Sequence, residues 1–371
     1  MKVVKVRSPF VIEVTEAGQI GSKIELFIWR QGEVPPISPR YTLSKPSPDP
    51  TNVSNYYNVS NFVKEFIDNI APLYTDVPLG DYNENFALFR IKRYWNNAGT
   101  YVLIDTTEYV GVNGFTQYMD GLQYAVNSRV DLLFNPNIKN NYQIQNTYPT
   151  NTIQYLNILV EYKTLLDNLN ITYNRIDGVT YSTAINFDNL IGVYLYRIPI
   201  SLVKSDSAYV NGCSVTITFT PGDDVTPPIV FDPFYTYPIC EPKYTPVLID
   251  FINREGGWQT LTFYKAQTNN LSVKNSDYKL SPDNVNYTAL RGQNKSFNFV
   301  GTQTIKVNSG WIDENYNELI TDLLLSETVL LDRKPVIVKT QGTELKTKLK
   351  NRLINYEIDF EYSYNLINDA I

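Results

Sequence analysis

The feature that most constrains the fold is a strictly alternating run in residues 353–362, which read LINYEIDFEY. Apolar side chains occupy every even position of this run, and Asn, Glu or Asp occupies the odd positions from 355 to 361. A period of two over this length predicts a β-strand with one face on a core and the other in water or against a partner. We expect this strand to lie inside a sheet, because an unsupported strand near a chain end frays.

The residues just before this run alternate with the opposite parity, because the basic residues between 344 and 352 are even-numbered. A hairpin with an even-length loop around residues 350–352 resolves the difference. It places Leu345 opposite Ile358 and Lys346 opposite Glu357, so that apolar side chains share one face and unlike charges meet on the other. A short helix is the alternative, because the leucines of this segment recur every four residues.

The composition indicates a folded, mainly β protein. Of 371 residues, 43% are hydrophobic and 19% are charged, as in ordinary globular chains. Aromatic residues reach 13%, and they suit both pleated strands and contact areas between proteins. The net charge of −6 argues against nucleic acid as the main partner. The first residues lead into a strand and no long apolar run occurs, so we expect neither a signal peptide nor a membrane partner.

The chain contains no histidine. This excludes Ser–His and Cys–His nucleophilic catalysis, imidazole general-base chemistry and most transition-metal sites. The sequence also lacks the GxxxxGK[ST], GxGxxG and GxSxG motifs. Cys213 and Cys240 have no metal-ligand spacing, and we favour two reduced, buried thiols over a disulfide bond for a chain made in the cytoplasm. We therefore expect neither an enzyme nor a cofactor.

Acidic residues are the remaining candidates for chemistry, and each group has a simpler explanation. Glu357, Asp359 and Glu361 recur every second residue, about 6.5–7 Å apart along a strand, which is too far to share one metal ion without outside ligands. We interpret them as a charge-paired surface. The pairs Asp223-Asp224 and Asp313-Glu314 could suggest a glycosidase, but they lie in a proline-rich loop and at a helix start, where acidic residues are common.

Residues 1–125 are predicted to form a β-sandwich with one short helix. Strands at residues 10–14 and 23–29 are expected to pair, and residues 41–44 lie between prolines and read as an edge strand or an extended arm. Residues 62–70 follow Ser60 and Asn61, which can cap a helix with an apolar stripe. Residues 96–99 and 112–115 carry hairpin-turn signals.

Two further regions complete the expected architecture of two or three β-sandwich-like domains with a few short helices. Residues 126–238 form an irregular, β-rich middle region with extended loops, in which residues 155–166 are expected to pair with 170–176, and 192–200 with 213–219. Residues 239–371 form a C-terminal β domain with a hairpin turn at 254–257 and a strand or two in 296–307. A helix at 311–325, capped by Asp313, is expected to cover its sheet.

Extended segments rich in proline, asparagine or aromatic residues are the candidates for contacts between proteins. Prolines exclude central strands and helices between residues 35 and 50. Residues 138–152 and 232–238 keep aromatic side chains, so we interpret the first as an ordered arm that reaches toward a neighbour and the second as an ordered linker. The candidate interface residues are Pro35, Pro36, Pro46, Pro48, Tyr142, Tyr148, Phe234 and Tyr235.

Several blocks of the sequence resemble virion structural proteins of tailed phages, with phages of Bacteroidetes hosts, crAss-like phages among them, as the nearest relatives. The blocks are Arg7-Ser-Pro-Phe10, the hairpin at 247–263 with Asn253-Arg254 and Gly257-Trp258, and the closing segments 306–311 and 345–362. The resemblance implies a repeated subunit of a ring or shell in the tail, neck or baseplate. It also implies a virion location after assembly in the host cytoplasm, with copies of the chain and other virion proteins as partners.

Three functions remain open on the sequence alone. The first is a structural subunit of a phage particle, which the low charge and the extended arms favour, because such arms can interlock copies in a closed ring. The second is a receptor- or glycan-binding fibre or head-decoration protein, in which exposed aromatic rings would stack on sugars. The third, a phage-borne polysaccharide hydrolase, requires facing carboxylates in a cleft and has the least support.

Overall fold

The computed structural model describes residues 1–371 apart from 48–53, 72–84, 124, 134–154, 164–166, 176–177, 187–191, 200–212, 223–225, 237–243, 282–288, 343, 346–352 and 368–371. Strands dominate the described residues, and the prediction of a mainly β, sandwich-like protein is confirmed. The chain forms two compact units. Unit 1 comprises Met1–Glu241, Phe251–Thr260 and Asn315–Glu327, and unit 2 comprises Pro242–Asp250, Leu261–Glu314 and Thr328–Ile371.

The first part of unit 1 is built on eight strands and one helix. The strands are β1 (Lys2–Lys5), β2 (Val11–Val14), β3 (Gly21–Trp29), β4 (Tyr41–Pro46), β5 (Asn55–Asn58), β6 (Phe86–Asn97), β7 (Thr100–Val112) and β8 (Val126–Asn127). Six of them form a sheet in the order β4-β3-β6-β7-β1-β8, and β2 pairs with β5. The expected pairing of residues 10–14 with 23–29 is therefore wrong, although both strands exist, because β3 lies between β4 and β6.

Two hairpin turns are predicted in this region, at residues 96–99 and 112–115, and one of them is present. Ala98 and Gly99 have φ angles of 50° and 97°, which allow the tight β6–β7 turn that the sequence predicts. The hairpin predicted at residues 112–115 is absent, because the backbone there continues past β7 and packs against the turn at 254–256 instead. A Cβ atom on Gly114 would lie 2.5 Å from the carbonyl oxygen of Arg254, so only glycine fits. The edge position predicted for residues 41–44 is confirmed by β4.

The predicted helix at 62–70 is shorter and is capped differently. Helix α1 spans Ser60–Lys64 and its N-cap is Val59, without a side-chain capping bond. The Ser60 hydroxyl is used elsewhere, because it donates to the carbonyl of Ser8 at 2.6 Å and accepts from the backbone N–H of Phe10 at 2.7 Å. The helix buries Val63 in a core cluster formed with the inner faces of β2, β3 and β6.

The middle of unit 1 is a second pair of sheets. Its strands are β9 (Val130–Leu132), β10 (Tyr155–Tyr162), β11 (Asn168–Arg175), β12 (Thr180–Asn186), β13 (Gly192–Pro199), β14 (Cys213–Thr220), β15 (Ile229–Val230) and β16 (Phe234–Thr236). The sheets have the orders β13-β10-β9 and β12-β11-β14-β15, with β16 on β14. Cys240 lies outside the described residues, so the interpretation of the two cysteines stays a prediction.

The pairings predicted for the middle region are wrong, because each expected hairpin is divided between two facing sheets. β10 pairs with β13 and β11 pairs with β14. The rings of Tyr162 in β10 and Phe219 in β14 lie 6.4 Å apart, which shows that the two sheets pack face to face. In the β11–β14 ladder, Leu169 faces Phe219 and Ile171 faces Ile217, and all four side chains are buried, as alternation requires.

A buried turn at residues 253–257 belongs to unit 1 and is held by one side chain. The Asn253 carbonyl oxygen Oδ1 accepts the backbone N–H groups of Glu255 and Gly257 at 3.0 and 3.1 Å. Its Nδ2 donates to Gln259 Oε1 at 2.8 Å. Gly257 has no room for a side chain, since a Cβ atom would lie 2.0 Å from the carbonyl oxygen of Leu133. The turn predicted here is confirmed, and it is rigid because its polar groups are buried and paired.

The remaining elements follow residue 246. They are β17 (Val247–Ile252), β18 (Trp258–Phe263), β19 (Thr268–Lys279), β20 (Asn294–Asn308), β21 (Ile312–Asp313), α2 (Asn317–Leu324), β22 (Val329–Leu331), β23 (Lys334–Val338), β24 (Leu353–Ile354) and β25 (Glu357–Tyr362). A seven-stranded sheet has the order β18-β17-β22-β23-β25-β20-β19, and β21 pairs with β24. The sequence predicts β17, β18, β20 and β25, whereas β19 is missed because most of its residues are polar.

The final strand has the inside position that its alternation predicts. β25 lies between β23 and β20, and Ile358 and Phe360 are fully buried. The hairpin expected between residues 345–352 and this strand is wrong, because both edges of β25 are already paired. Ile358 lies opposite Val307, and Leu345 is exposed and outside any strand. Lys346 and the rest of the expected partner strand lie outside the described residues.

The helix predicted at 311–325 occupies only Asn317–Leu324, after a 3-10 turn at Glu314–Tyr316. Its N-cap is Tyr316, which makes no side-chain capping bond, so the cap predicted at Asp313 is wrong. Within unit 1, the end of the helix is held by basic residues, which suit the negative end of a helix dipole. Arg7 donates to the carbonyl oxygen of Leu325 at 2.7 Å, and Lys64 pairs with Glu327 at 2.8 Å.

Candidate functional site

The candidate site is a set of exposed apolar surfaces, and the predicted interface residues account for part of it. Pro35 and Pro46 are exposed and Pro36 is half-buried. Phe234 and Tyr235 lie in β16, whose backbone pairs with β14. Pro48, Tyr142 and Tyr148 lie outside the described residues. The surfaces below combine Pro35 and Pro36 with exposed residues that the sequence did not indicate as interface residues.

The segment at residues 34–39 is a short exposed bridge fixed at both ends. At its start, Glu33 N–H donates to the carbonyl of Arg30 at 3.0 Å, and at its end Arg40 N–H donates to the carbonyl of Leu26 at 2.8 Å. Val34 and Ile37 are 87% and 100% exposed between them. Proline fixes φ and removes a donor, so this segment cannot join the neighbouring sheet and holds its apolar side chains in water.

A second exposed surface is the loop at residues 117–122. Gln117 and Asp120 form a reciprocal capping box around a 3-10 turn, and the Gln123 amide donates to the carbonyl of Lys5 at 2.7 Å. These bonds hold the loop in place, yet Tyr118 and Met119 are 97% and 90% exposed. An ordered aromatic and a methionine presented fully to water are typical of the centre of a protein interface. Sequence reasoning misses both residues, because no local pattern reports exposure in a turn.

The largest exposed surface is a two-stranded ribbon, which we define as residues 268–279 of β19 together with residues 294–303 of β20. β25 pairs with β20 only from Thr304 to Asn308, so among the described residues the ribbon beyond that point has no third strand. Every residue of β19 is exposed. The apolar residues Leu271, Val273, Tyr278, Phe297 and Phe299 are between 46% and 61% exposed.

The ribbon carries apolar side chains on both faces. Val273 lies opposite Gly301. Both residues are on the same face of the ribbon as the buried Ile305 of β20. Tyr278 has the opposite parity in β19, and its ring contacts that of Phe297 at a centroid distance of 5.5 Å. A β-bulge between these two regions, where Asn298 has a φ angle of 54°, increases the local twist. The sequence indicates the part of the ribbon around Leu271 and Val273, because these two residues alternate with Asn and Ser.

The three acidic residues of β25 are paired with nearby lysines. Lys306 lies 3.8 and 3.9 Å from Glu357 and Asp359, and Lys339 lies 3.0 Å from Glu361. The charge-paired surface predicted for these three acids is confirmed, with Lys306 and Lys339 as the described partners, whereas Lys346 lies outside the described residues. Among the described residues, no group of three or more His, Cys, Asp or Glu side chains could hold a metal ion.

Tyr94 of the N-terminal sheet forms a hydrogen bond with the carboxylate of Glu25. Burial and a hydrogen bond to Glu25 raise the pKa of Tyr94 to about 12. Burial opposes ionisation of Glu25, but hydrogen bonds from Lys23 and Tyr94 outweigh it and lower its pKa below the ordinary value. Lys23 also lies over the rings of Tyr94 and Tyr101, 4.3 and 5.2 Å from their centroids. The pKa of Tyr94 is raised and that of Glu25 is lowered, so neither group is poised for proton transfer near neutral pH.

A shallow groove of about 420 Å³ lies beside β4. Its lining residues are Thr42, Leu43, Ser44, Lys45, Tyr57 and Asn58. They supply no carboxylate, and the Lys45 amine is already bonded to the carbonyl of Tyr56 at 2.5 Å. Asp223 and Asp224 lie outside the described residues, and Glu314 is exposed at the 3-10 turn before α2. No two of the acids singled out in the sequence are brought together across a cleft in the described part of the chain.

Comparisons with other proteins add no family to this description. Among the described residues, no helix is both long and apolar enough to span a bilayer. No protein-family model matches the chain, and no curated protein is significantly similar to it.

Proposed function

We propose that this chain is a structural subunit of a tailed bacteriophage particle, which assembles with copies of itself and with other virion proteins in a ring of the tail, neck or baseplate. The resemblance of its N-terminal and C-terminal blocks to virion proteins supports the phage context. The observation that carries the assembly role is the ribbon, because its apolar side chains are exposed on both faces.

The ribbon is costly for an isolated chain. A two-stranded ribbon alone is marginally stable in water, and exposed apolar side chains on it gain nothing from folding. A fully buried aromatic side chain covers about 150–250 Å², so the half-exposed Tyr278, Phe297 and Phe299 leave roughly 300 Å² uncovered. With Leu271 and Val273 the total reaches roughly 450 Å², more than half of the ~800 Å² per partner in a specific interface.

Two fixed surfaces in unit 1 support the same role. The segment at 34–39 and the loop at 117–122 each present exposed apolar side chains on a backbone that hydrogen bonds hold in place. Preorganised contact residues lose little entropy on binding, which favours assembly. A ring subunit needs at least two contact surfaces, one for each neighbour, and the chain offers several.

The test compares the full chain with a ribbon variant. Leu271→Ser combined with Phe297→Ser removes one apolar side chain from each ribbon face, and the matched control Asn270→Ser changes an exposed polar residue of the same strand. We expect the parent and the control to form large oligomers as concentration rises in sedimentation velocity, and the ribbon variant to stay at lower mass with an unchanged circular dichroism spectrum. Equal assembly of all three proteins would contradict the role of the ribbon.

The phage context needs its own measurement. Particles purified from a culture that carries this gene should bind antibodies against the chain at the tail, neck or baseplate in immunogold electron microscopy. A chain that is absent from the particles would refute a virion role. Labelling at fibre tips or on the head surface, together with glycan binding that Tyr118→Ala abolishes, would support the receptor- or glycan-binding function instead.

A further inference from the structure

The N-terminal sheet contains an edge that no described strand covers. β7 pairs with β6 along its whole length, but β1 joins its other side only from Val110 to Val112. Among the described residues, no strand and no backbone hydrogen bond occupies the outer side of residues 100–109. Unpaired N–H and C=O groups in such a row form a template for another strand.

The sequence of this edge lacks the usual protection. Edge strands normally carry lysine or proline, which oppose pairing with another chain. The edge strand β4 ends in Lys45-Pro46, and β19 carries Lys274 and Lys279, whereas residues 100–109 contain no lysine, arginine or proline. The edge strand β12 also lacks them, but apart from Tyr181 its exposed side chains are small or polar.

The uncovered edge is apolar where it is regular. Tyr101, Val102 and Leu103 are 41%, 41% and 49% exposed, although all three lie in a regular strand. The two carboxylates of the edge are already paired with arginines of β6, Asp105 with Arg93 at 2.8 Å and Glu108 with Arg90 at 2.9 Å. At residues 100–104 an incoming strand therefore meets backbone and the uncharged side chains of β7.

We propose that residues 100–104 pair with the same residues of a second copy, antiparallel and centred on Val102, so that two N-terminal sheets join across a two-fold axis. This register places Tyr101 opposite Leu103 of the partner subunit and Val102 opposite its own equivalent. Aromatic–aliphatic and β-branched pairs at directly opposite positions stabilise a sheet. Two-fold symmetry requires a self-complementary edge, and this uncharged segment satisfies that condition.

The length and strength of this contact follow from the same strand. A β-bulge opposite Arg93 and Tyr94 leaves Ile104 without a partner in β6, and the bend it introduces ends the regular edge there. The side chains of Tyr101, Val102 and Leu103 offer roughly 250 Å² per copy. This is less than half of the ~800 Å² in a standard interface, so the dimer is weak and depends on concentration. The inference rests on the proposed assembly of copies, because a repeated particle brings the edges together at high local concentration.

The experiment measures self-association and edge protection on the full chain. Val102→Lys places two like charges directly opposite each other at the centre of the pairing. We expect it to weaken the dimer at least tenfold in sedimentation equilibrium, with an unchanged circular dichroism spectrum. The matched control Val230→Lys makes the same change on the exposed edge strand β15 and should leave this dimer intact. Hydrogen exchange read by NMR should slow at the amides of residues 100–104 as concentration rises, in the parent and in the control only.

The outcomes separate this inference from the proposed function. A dimer that survives Val102→Lys, or one without protection at residues 100–104, overturns the edge pairing even if the ribbon drives assembly. Assembly that is lost in the ribbon variant while the edge dimer persists supports both proposals. A chain that stays monomeric at the highest attainable concentration refutes both.

Discussion

Substitution of Gly257 by alanine tests the most tightly packed point of unit 1. The φ angle of Gly257 does not lie in the left-handed region, so its backbone conformation suits alanine and the obstacle is purely steric. The new Cβ atom would lie 2.0 Å from the carbonyl oxygen and 2.8 Å from the Cβ atom of Leu133. Leu133 is buried and its N–H donates to the carbonyl of Asn157 at 2.9 Å, so the obstacle is backbone that other bonds hold in place.

The expected loss can be worked from these contacts. Overpacking a well-packed site costs about 1–3 kcal/mol, and a clash with fixed backbone belongs at the upper end. Moving the turn aside also breaks the bonds between Gly257 and Asn253, one from each backbone N–H, at roughly 1 kcal/mol each. The sum is about 3–5 kcal/mol. At ~2–4 °C per kcal/mol for a unit of this size, the melting temperature should fall by about 6–20 °C.

Two matched glycine variants make the result interpretable in differential scanning calorimetry. Gly342→Ala has no atom within 4 Å of the new Cβ and an ordinary φ angle, and it should leave the melting temperature unchanged or slightly raised. Gly32→Ala also meets open space but has a φ angle of 85°, so it should show backbone strain of about 1–2 kcal/mol alone. If Gly257→Ala melts at the same temperature as Gly342→Ala, the close packing of this turn on Leu133 is refuted.

Three further predictions concern the core and the charged surface. Asn253→Ala removes the acceptor of the N–H groups of Glu255 and Gly257, and it should lower the free energy of unfolding by about 2–4 kcal/mol in urea denaturation. The control Asn275→Ala changes an exposed residue and should lower it by less than about 0.5 kcal/mol. Equal losses in the two variants would contradict the argument. Phe360→Ala empties a fully buried site in β25 and should cost about 3–5 kcal/mol by the same assay, against less than about 1 kcal/mol for the half-exposed Phe299→Ala. The hydrogen bond from Arg93 holds the pKa of Asp105 below its ordinary 3.8, so the folded state gains stability from the ionised carboxylate above that pH and loses it as the pH falls through the lowered pKa. Asp105→Asn should therefore be less stable than the parent at pH 7 and equally stable near pH 2, and a difference that is the same at both pH values would rule out this linkage.

Alternation in the sequence predicts the faces of strands well and their partners poorly. β25 and β14 alternate cleanly, and the pattern correctly assigns to the core the buried side chains of Ile358, Phe360, Val215, Ile217 and Phe219. The pairing of β10 with β13 and of β11 with β14 was not predictable from neighbouring segments, because each connection crosses between facing sheets. The choice between a hairpin and a crossover depends on how distant aromatic residues such as Tyr162 and Phe219 pack, and no local pattern reports that.

The starts of helices and the exposed surfaces show a second limit of prediction from the sequence. The apolar stripe after residue 316 predicts α2, but its start lies at Asn317 because a short strand and a 3-10 turn occupy the preceding residues. The prolines at 35 and 36 correctly exclude helix and strand from one exposed segment. Tyr118 and Met119 carry no such signal, because a capping box in a 3-10 turn decides that they face water. Only the β20 strand of the ribbon was predicted, because most residues of β19 are polar and its alternation is limited to Leu271 and Val273.

The discontinuous make-up of unit 1 has a consequence for how the chain is made. Its continuous part ends at Glu241, yet Asn315–Glu327 is also needed, so 86 further residues (327 − 241) must leave the ribosome before the unit can close. At roughly 5–20 residues per second this delay is about 4–17 s. During that interval the nascent chain holds an unfinished core on a crowded polysome beside identical nascent chains. Chaperone capture at this stage, more than the final stability of the protein, should therefore set the yield of correctly folded subunits.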